Sequence, residues 1–196
     1  MEGWTMKKIL NGIDVNQLNE TIEKIKADPG LARFTFRAET TWVNGAQCRT
    51  KIQGFSGAGS EDTSRSRPFL LASDEPTVLL GSDTGPNAVE MILTGLGSCL
   101  AVGFAYHAAA AGIRVESLDL EMEGDIDLQG FLGISDKVRP GYQDIRLSCR
   151  VKSDAPRERV MELLEHVRRT SPVMDIVRNA VPVTVKIERK ESEKAA

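Results

Sequence analysis

The chain has 196 residues, 41% of them hydrophobic and 27% charged, and a net charge of −3 at neutral pH. This is the composition of a globular protein with a sizeable core, and with Lys and Arg dispersed it gives no electrostatic case for nucleic acid or an anionic membrane surface. The three cysteines, Cys48, Cys99 and Cys149, are scattered without a C-x-x-C pair, so neither a disulfide framework nor a zinc site is signalled, and no cofactor or metal is called for. Met1 to Lys8 has no apolar signal-peptide core, so reduced thiols and a cytoplasmic location are expected.

Asp14 to Ala27 places Val15, Leu18, Ile22 and Ile25 at helical spacing behind a capping Asp14, and Asp28-Pro29-Gly30 stops the helix. Leu31 to Trp42 and Ala46 to Phe55 read as strands joined across Val43-Asn44-Gly45, where Asn-Gly is a hairpin signal. Cys48 falls on the second of them as a small half-buried strand residue. Ser56 to Arg67 has the composition of a loop; its glycines lack the G-K-[ST] of a phosphate cradle. Pro68 to Ala72 and Thr77 to Leu80 read as short strands, and Gly81 to Asn87 as a loop ending where Pro86 lets a helix begin.

The stretch that follows organises the rest. Met91 to Ile113 contains no Asp, Glu, Lys or Arg, and Cys99 lies near its middle. Its length suits a membrane span, but Gly and Ala dominate it, Thr94, Ser98, Tyr106 and His107 interrupt it, and no basic cluster flanks it. A helix over Ala88 to Ala111, buried on all sides of a soluble protein and stopped by Gly112, is the better reading. Gly97, Ala101, Ala105 and Ala109 recur every fourth residue, with Gly95, Cys99, Gly103 and Ala111 on a neighbouring row, so another backbone can approach closely.

Val115 to Glu123 reads as a strand, and Asp125 to Gly141 is mixed, with an apolar patch at Phe131, Leu132 and Ile134. Tyr142 to Lys152 is a strand with Ile145, Leu147, Cys149 and Val151 on one face, which makes Cys149 a core residue. Asp154 is expected to cap a helix opened by Pro156, with Val160, Leu163, Leu164 and Val167 as its apolar stripe and His166 on its polar side. Ser171-Pro172-Val173 begins a short helical turn, and Val181 to Glu188 is a final strand. The organisation is α+β: a helical extension over 1–30, a main domain over 31–190 and a solvated, disordered tail over 191–196.

The run GPNAVEMILTGLGSCLA, the Gly112-Ile113 turn, a strand pair, an amphipathic helix, and SPV followed by a Val-Pro-Val strand resemble the OsmC-like superfamily, which includes OsmC and the organic hydroperoxide resistance proteins. The resemblance implies antiparallel sheets around long central buried helices in an intertwined homodimer with sites at the subunit interface. It also implies a thiol peroxidase activity on organic hydroperoxides. The active members use a cysteine in the central helix, a second cysteine in a C-P-V context, a glutamate ten positions before the first cysteine, and an arginine from the amino-terminal strands.

Cys99 matches the first position, but the second falls on Ser171, which cannot form the intramolecular disulfide that completes the cycle. Ten positions before Cys99 is Val89; Glu90 is nine before, and nine steps at ~100° each put it on the opposite side of a continuous helix. Arg37 and Arg49 are on the strands in question, and Arg65 is in the loop after them. His107 is ~12 Å along the helix from Cys99, too far for a hydrogen bond within one chain. Two readings follow. In one, Cys99 is oxidised by a hydroperoxide and reduced by an external thiol or another cysteine. In the other, a non-peroxidase dimer binds a small apolar or thiol-reactive ligand at its interface.

Overall fold

The computed structural model describes residues 7–189. At the amino end, Asn11 and Gly12 adopt φ of 53° and 77°, the left-handed pair that turns β1 (Ile9–Leu10) tightly into β2 (Ile13–Asp14). Asp14 then caps α1 (Val15–Ala27) as its sequence position predicts, accepting from the Asn16 and Gln17 N–H groups at 3.1 and 3.2 Å. Asn11 also fastens this extension to the rest of the chain. Its side-chain amide donates to the Ile113 carbonyl and its oxygen accepts from the Val115 N–H, both at 2.9 Å, so the extension docks at the far end of the long helix.

The amino-terminal strands are shorter and more broken than their sequence suggests. Leu31 to Trp42 is not one strand: Pro29–Ala32 winds into a 3₁₀ turn that Asp28 caps through the Gly30 N–H. Only β3 (Thr35–Phe36) and β4 (Glu39–Asn44) are extended. The Asn44-Gly45 turn leads into β5 (Gln47–Ile52) as expected. The segment read as a loop from Ser56 contains a hairpin, β6 (Phe55–Gly57) and β7 (Ser60–Asp62), because Ala58 and Gly59 at φ 49° and 81° close a tight turn. With β8 (Phe69–Ser73) the strands form two three-stranded antiparallel sheets, β3-β6-β7 and β4-β5-β8. Thr77 to Leu80 is not a strand either. Pro76 accepts from the Leu79 and Gly81 N–H groups at 2.8 and 3.2 Å, winding Thr77–Leu79 into a 3₁₀ turn that ends at Leu80 with φ 66°.

A buried carboxylate orders the segment between β8 and the long helix. Asp74, 2% exposed, accepts from the Thr84 hydroxyl at 2.8 Å, from the Glu75, Ser82 and Thr84 N–H groups, and from the Gln47 amide. Its neighbour Glu75 accepts from the Asn87 amide at 3.4 Å. Asn87 in turn caps α2 (Ala88–Ala110) in a reciprocal capping box with Glu90, each side chain bonding the other's backbone N–H at 2.8 Å. Gly112, at φ 72°, ends the helix region as predicted.

β9 (Val115–Ile126) and β10 (Tyr142–Ser153) pair antiparallel, with Leu120 opposite Cys149 and Met122 opposite Leu147. Between them, Asp127 caps α3 (Leu128–Phe131) through the Gln129 N–H. The chain then continues through α4 (Arg157–Thr170) to α5 (Pro172–Arg178). Asp154 does not cap α4: Pro156 holds the cap position, and Asp154 accepts from the Arg114 N–H at 3.2 Å.

The core lies where one face of α2 meets these elements. Leu96, Leu100, Phe104 and Ala108 pack with Ile113, Leu163 and Val167, and the inward rows of β9 and β10 close over them. Gly97 lets the end of the Met122 side chain lie against the helix, and a Cβ there would displace the Met122 methyl. The expectation that α2 is buried on all sides is corrected. Ile92, Val102 and Tyr106 stand 47%, 56% and 47% exposed, because one chain supplies packing to only one side of the helix. By length and composition α2 could cross a membrane. Its packed face identifies it instead as the central helix of an α+β fold.

Residues 181–188, expected as a strand, are not paired. Val181, Val183, Val185 and Ile187 stand 51% to 93% exposed, and among the described residues the backbone there makes no hydrogen bond. Alternation specifies a segment able to pair, not a partner for it. The expected tail, 191–196, lies outside the described residues.

Candidate functional site

Cys99 sits at the middle of α2 on the border between its buried and exposed faces. The helix phase explains this: Leu96, Leu100 and Phe104 point inward, and Ile92, Val102 and Tyr106 point out. The half-buried thiol meets the junction of α4 and α5. There Ser171 ends α4, and Pro172 starts α5 with a φ already suited to a helix. Ser171 is 5% exposed and its hydroxyl does two things: it donates to the Cys99 Sγ at 3.1 Å and accepts from the Met174 N–H at 3.3 Å as the cap of α5. The fold thus brings together two residues 72 positions apart that were singled out separately in the sequence.

The other candidates lie elsewhere. Glu90 lies in the first turn of α2, where its Oε2 accepts from the Asn87 N–H in the capping box, so its carboxylate serves the helix start rather than the thiol. Val89, at the family's glutamate position, offers its carbonyl to the Tyr142 hydroxyl at 2.8 Å. Arg37, between β3 and β4, is held by Glu61 in a two-pronged pair at 2.6 and 3.2 Å. This pair lines a polar cleft of about 320 Å³ that also includes Lys51, Gln53 and Arg65. Arg65 donates to the Gln53 carbonyl at 3.1 Å, and its guanidinium lies 4.9 Å from the Phe55 ring centroid and 5.2 Å from that of Phe69. Arg49 is in the middle of β5, opposite Thr41 and Ala72. Among the described residues no guanidinium is hydrogen-bonded to the Cys99 sulfur; its partner there is the serine hydroxyl.

Of the remaining thiols, Cys48 is half-buried on β5 beside Trp42 and Ser73, and Cys149 is on the inward face of β10. Burial pushes the Cys149 thiol above its ordinary value and holds it in the neutral form, away from nucleophilic chemistry.

One feature near the site was not anticipated as a pair. His107 of α2 meets His166 of α4 edge to face, with ring centroids 4.5 Å apart, and the Thr170 hydroxyl is 3.5 Å from the His107 Nε2. Burial, and then the neighbouring His166, lower the His107 pKa. The sequence shows both histidines but gives no sign that α2 and α4 cross where they meet.

The profile of the family described as OsmC-like protein matches residues 81–186, from the loop before α2 into the exposed segment after α5. No curated protein sequence matches significantly. Among solved structures, the chain is similar to an OsmC-like protein from Mycoplasma pneumoniae, with TM-score 0.58 and 14% identity over 74% of this chain and 89% of that one. It is also similar to an organic hydroperoxide resistance protein OsmC from Legionella pneumophila, described as a predicted redox protein, with TM-score 0.52, 14% identity and the same coverage. A third, an OsmC-like protein from Vibrio cholerae, has TM-score 0.51 and 14% identity over 72% and 92%. At these identities the structures share the fold. The family match extends over more than half of the chain and contains α2 with Cys99, the β9–β10 pair and the Ser171 junction: the chain belongs to the OsmC-like protein family.

Proposed function

We propose that this protein is a thiol-dependent hydroperoxide reductase that works with one cysteine. The observation that carries the reading is the buried Ser171 hydroxyl, which donates to the Cys99 sulfur at 3.1 Å. A donor at that position can bond the attacking sulfur and later the sulfenic oxygen. The Cys99 thiolate attacks the terminal oxygen of an organic hydroperoxide, the O–O bond breaks, and the departing alkoxide takes a proton to leave as an alcohol. Ser171 supplies no second thiol, so an external thiolate attacks the sulfenic sulfur, leaving a mixed disulfide and expelling hydroxide, which takes a proton from solvent to become water. A second external thiolate attacks the outer sulfur of the mixed disulfide, releasing the Cys99 thiolate and the two external thiols joined as a symmetrical disulfide. The reading includes a cytoplasmic, reducing setting, in keeping with three free cysteines. It also includes a homodimer, with residues 31–190 as the working unit and 1–30 as an extension.

The test is to treat the reduced protein with an organic hydroperoxide and trap sulfenic acid at each cysteine for mass spectrometry, beside Cys99→Ser and Ser171→Ala variants. Cys99 is expected to react ahead of Cys48 and Cys149, and to turn over only with added thiol. A hydrogen bond to a charged group contributes about 1.5–3 kcal/mol, so Ser171→Ala should slow the reaction by roughly 10- to 150-fold. Equal oxidation of all three thiols would overturn the proposal.

A second reading rests on the stripe that α2 leaves exposed. Ile92, Val102 and Tyr106 flank Cys99 with apolar surface, which suits a small apolar or thiol-reactive ligand held at an interface. Ligand binding retained in Cys99→Ser, with no hydroperoxide turnover in the parent, would select it.

A further inference from the structure

We infer that His107 and His166 form a pH-sensitive clasp that sets Ser171 against Cys99. While at most one of the two rings is protonated they hold the last turn of α4 on α2, and protonation of both releases that turn and with it the Ser171–Cys99 contact. The clasp regulates the site proposed above and rests on Cys99 as its reacting thiol. His107 lies about 12 Å along α2 from Cys99, so the histidines are positioning residues and not partners of the sulfur.

The connection runs along the end of α4. The rings of His107 on α2 and His166 on α4 meet edge to face with centroids 4.5 Å apart. The Thr170 hydroxyl donates to the His166 carbonyl at 3.0 Å and stands 3.5 Å from the His107 Nε2, so one residue touches both sides of the clasp. Next in the chain, Ser171 donates its N–H to the Val167 carbonyl at 2.9 Å and its hydroxyl to the Cys99 sulfur at 3.1 Å. The turn from His166 to Ser171 is thus one hydrogen-bonded unit. Lifting it from α2 takes the hydroxyl out of bonding distance of the thiol.

An edge-to-face pair sets the electropositive rim of one ring on the electronegative face of the other, which a proton on the edge ring does not disturb. A second proton makes both rings cations, and like charges at this separation repel. The carboxylates on the elements packed against the pair have other engagements. On α4, Glu162 is held by Arg159 at 3.0 Å, Glu165 by Arg168 at 2.7 and 2.8 Å with Arg169 at 3.9 Å, and Glu158 lies in the first turn, at the opposite end. On α5, Asp175 accepts from the Asn179 amide, and Arg178 acts on Glu165. On α1, Glu23 pairs with Lys26 beside Glu20 and Lys24, and Asp14 of β2 caps that helix. Glu116, Asp119, Glu121, Glu123 and Asp125 of β9 are turned to the Arg146, Arg150 and Lys152 ladder. Besides Cys99, α2 itself offers Glu90 at its far end and the outward Tyr106. Burial and His166 are what move the His107 pKa, both downward, so the second proton is taken up below the ordinary histidine value of about 6.5.

The experiment uses the full chain and its His107→Gln, His166→Gln and Ser171→Ala variants between about pH 8 and about pH 5. One readout is amide exchange at Ser171 and Met174, whose N–H groups bond the Val167 carbonyl and the Ser171 hydroxyl. The other is the rate at which tert-butyl hydroperoxide oxidises Cys99. In the parent, protection at both amides should fall by roughly tenfold or more below pH ~6.5, relative to the unfolded chain. The Cys99 rate should fall by more than titration of a thiol allows, which is about tenfold per pH unit, and the extra factor should approach the roughly 10- to 150-fold loss expected for Ser171→Ala. Both Gln variants should keep the protection and show only the thiol's own slope, and the Ser171→Ala rate should show that slope too. Protection retained in the parent at the acid end, or an extra acid loss that survives in both Gln variants, overturns the clasp. A rate loss in the Gln variants that is the same at every pH also overturns it, since the rings then serve packing alone. A Cys99 that the hydroperoxide oxidises at no pH overturns the thiol chemistry, and the amide readout then decides the clasp by itself.

Discussion

Replacing Ser171 with cysteine tests the geometry at the centre of the site. The Ser171 oxygen lies 3.1 Å from the Cys99 sulfur, against about 2.05 Å for a disulfide, so a shift of about 1 Å closes the bond. The two positions are 72 residues apart, and cross-linking a loop of that length lowers the entropy of the unfolded chain by an amount worth about 4.4 kcal/mol at 25 °C. Strain from the shift reduces this, and about 2–4 kcal/mol is expected to remain. In a chain of this size that is a rise of roughly 4–16 °C in Tm. The assay is thermal unfolding of the Ser171→Cys protein after mild oxidation, with and without a dithiol, beside thiol counting by mass spectrometry. The oxidised variant should lose two of its four thiols to a disulfide and gain stability that the dithiol removes, while the parent with its three thiols forms no 99–171 disulfide and gains no dithiol-sensitive stability. A variant that keeps all its thiols under oxidant, with no dithiol-dependent change in Tm, refutes the placement of Ser171 against Cys99.

Three further predictions follow from neighbouring parts of the structure. Glu90→Ala removes half of the capping box and should cost about 0.5–2 kcal/mol in thermal unfolding, while the rate at which Cys99 reacts with a hydroperoxide stays unchanged. A large loss of that rate at unchanged stability would make Glu90 part of the chemistry after all. Because the folded His107 pKa is lowered, the unfolded chain takes up a proton first as pH falls through about 6.5, so stability should be full above that pH and decline between it and the lower folded value. His166→Gln should soften the decline, and a flat Tm profile from pH 7.5 to 5 would contradict it. The Thr84 hydroxyl and the surrounding N–H groups hold Asp74 well below the usual carboxylate range, so its contribution is complete above pH ~3.9 and is lost as pH falls further. Asp74→Asn turns a donor toward those donors, and should lower Tm and abolish much of the acid dependence below pH 4 that the parent shows.

What the sequence determined by itself is local and periodic. The extent of α2, the stop at Gly112, the cap at Asp14, the turn at Asn44-Gly45 and the long strands β9 and β10 all follow from patterns within a few residues of each element. The broken strands after Pro29, the 56–62 hairpin and the 3₁₀ turn at Thr77 were less legible, because short segments rich in Gly, Ser and Pro support several turn geometries and the surrounding contacts select one. Cys99 and Ser171 could each be picked out from their motifs, but their contact depends on where α4 ends against α2, a long-range packing outcome that no local period encodes. The packing of α4 on α2 also brought His107 against His166, and strand pairing set Arg37 beside Glu61, whereas the Asn87–Glu90 box that occupies Glu90 is local. The fold also left one face of α2 and the 181–188 segment uncovered: an apolar period says that a surface must be buried, and only the tertiary structure shows that a single chain leaves part of it open.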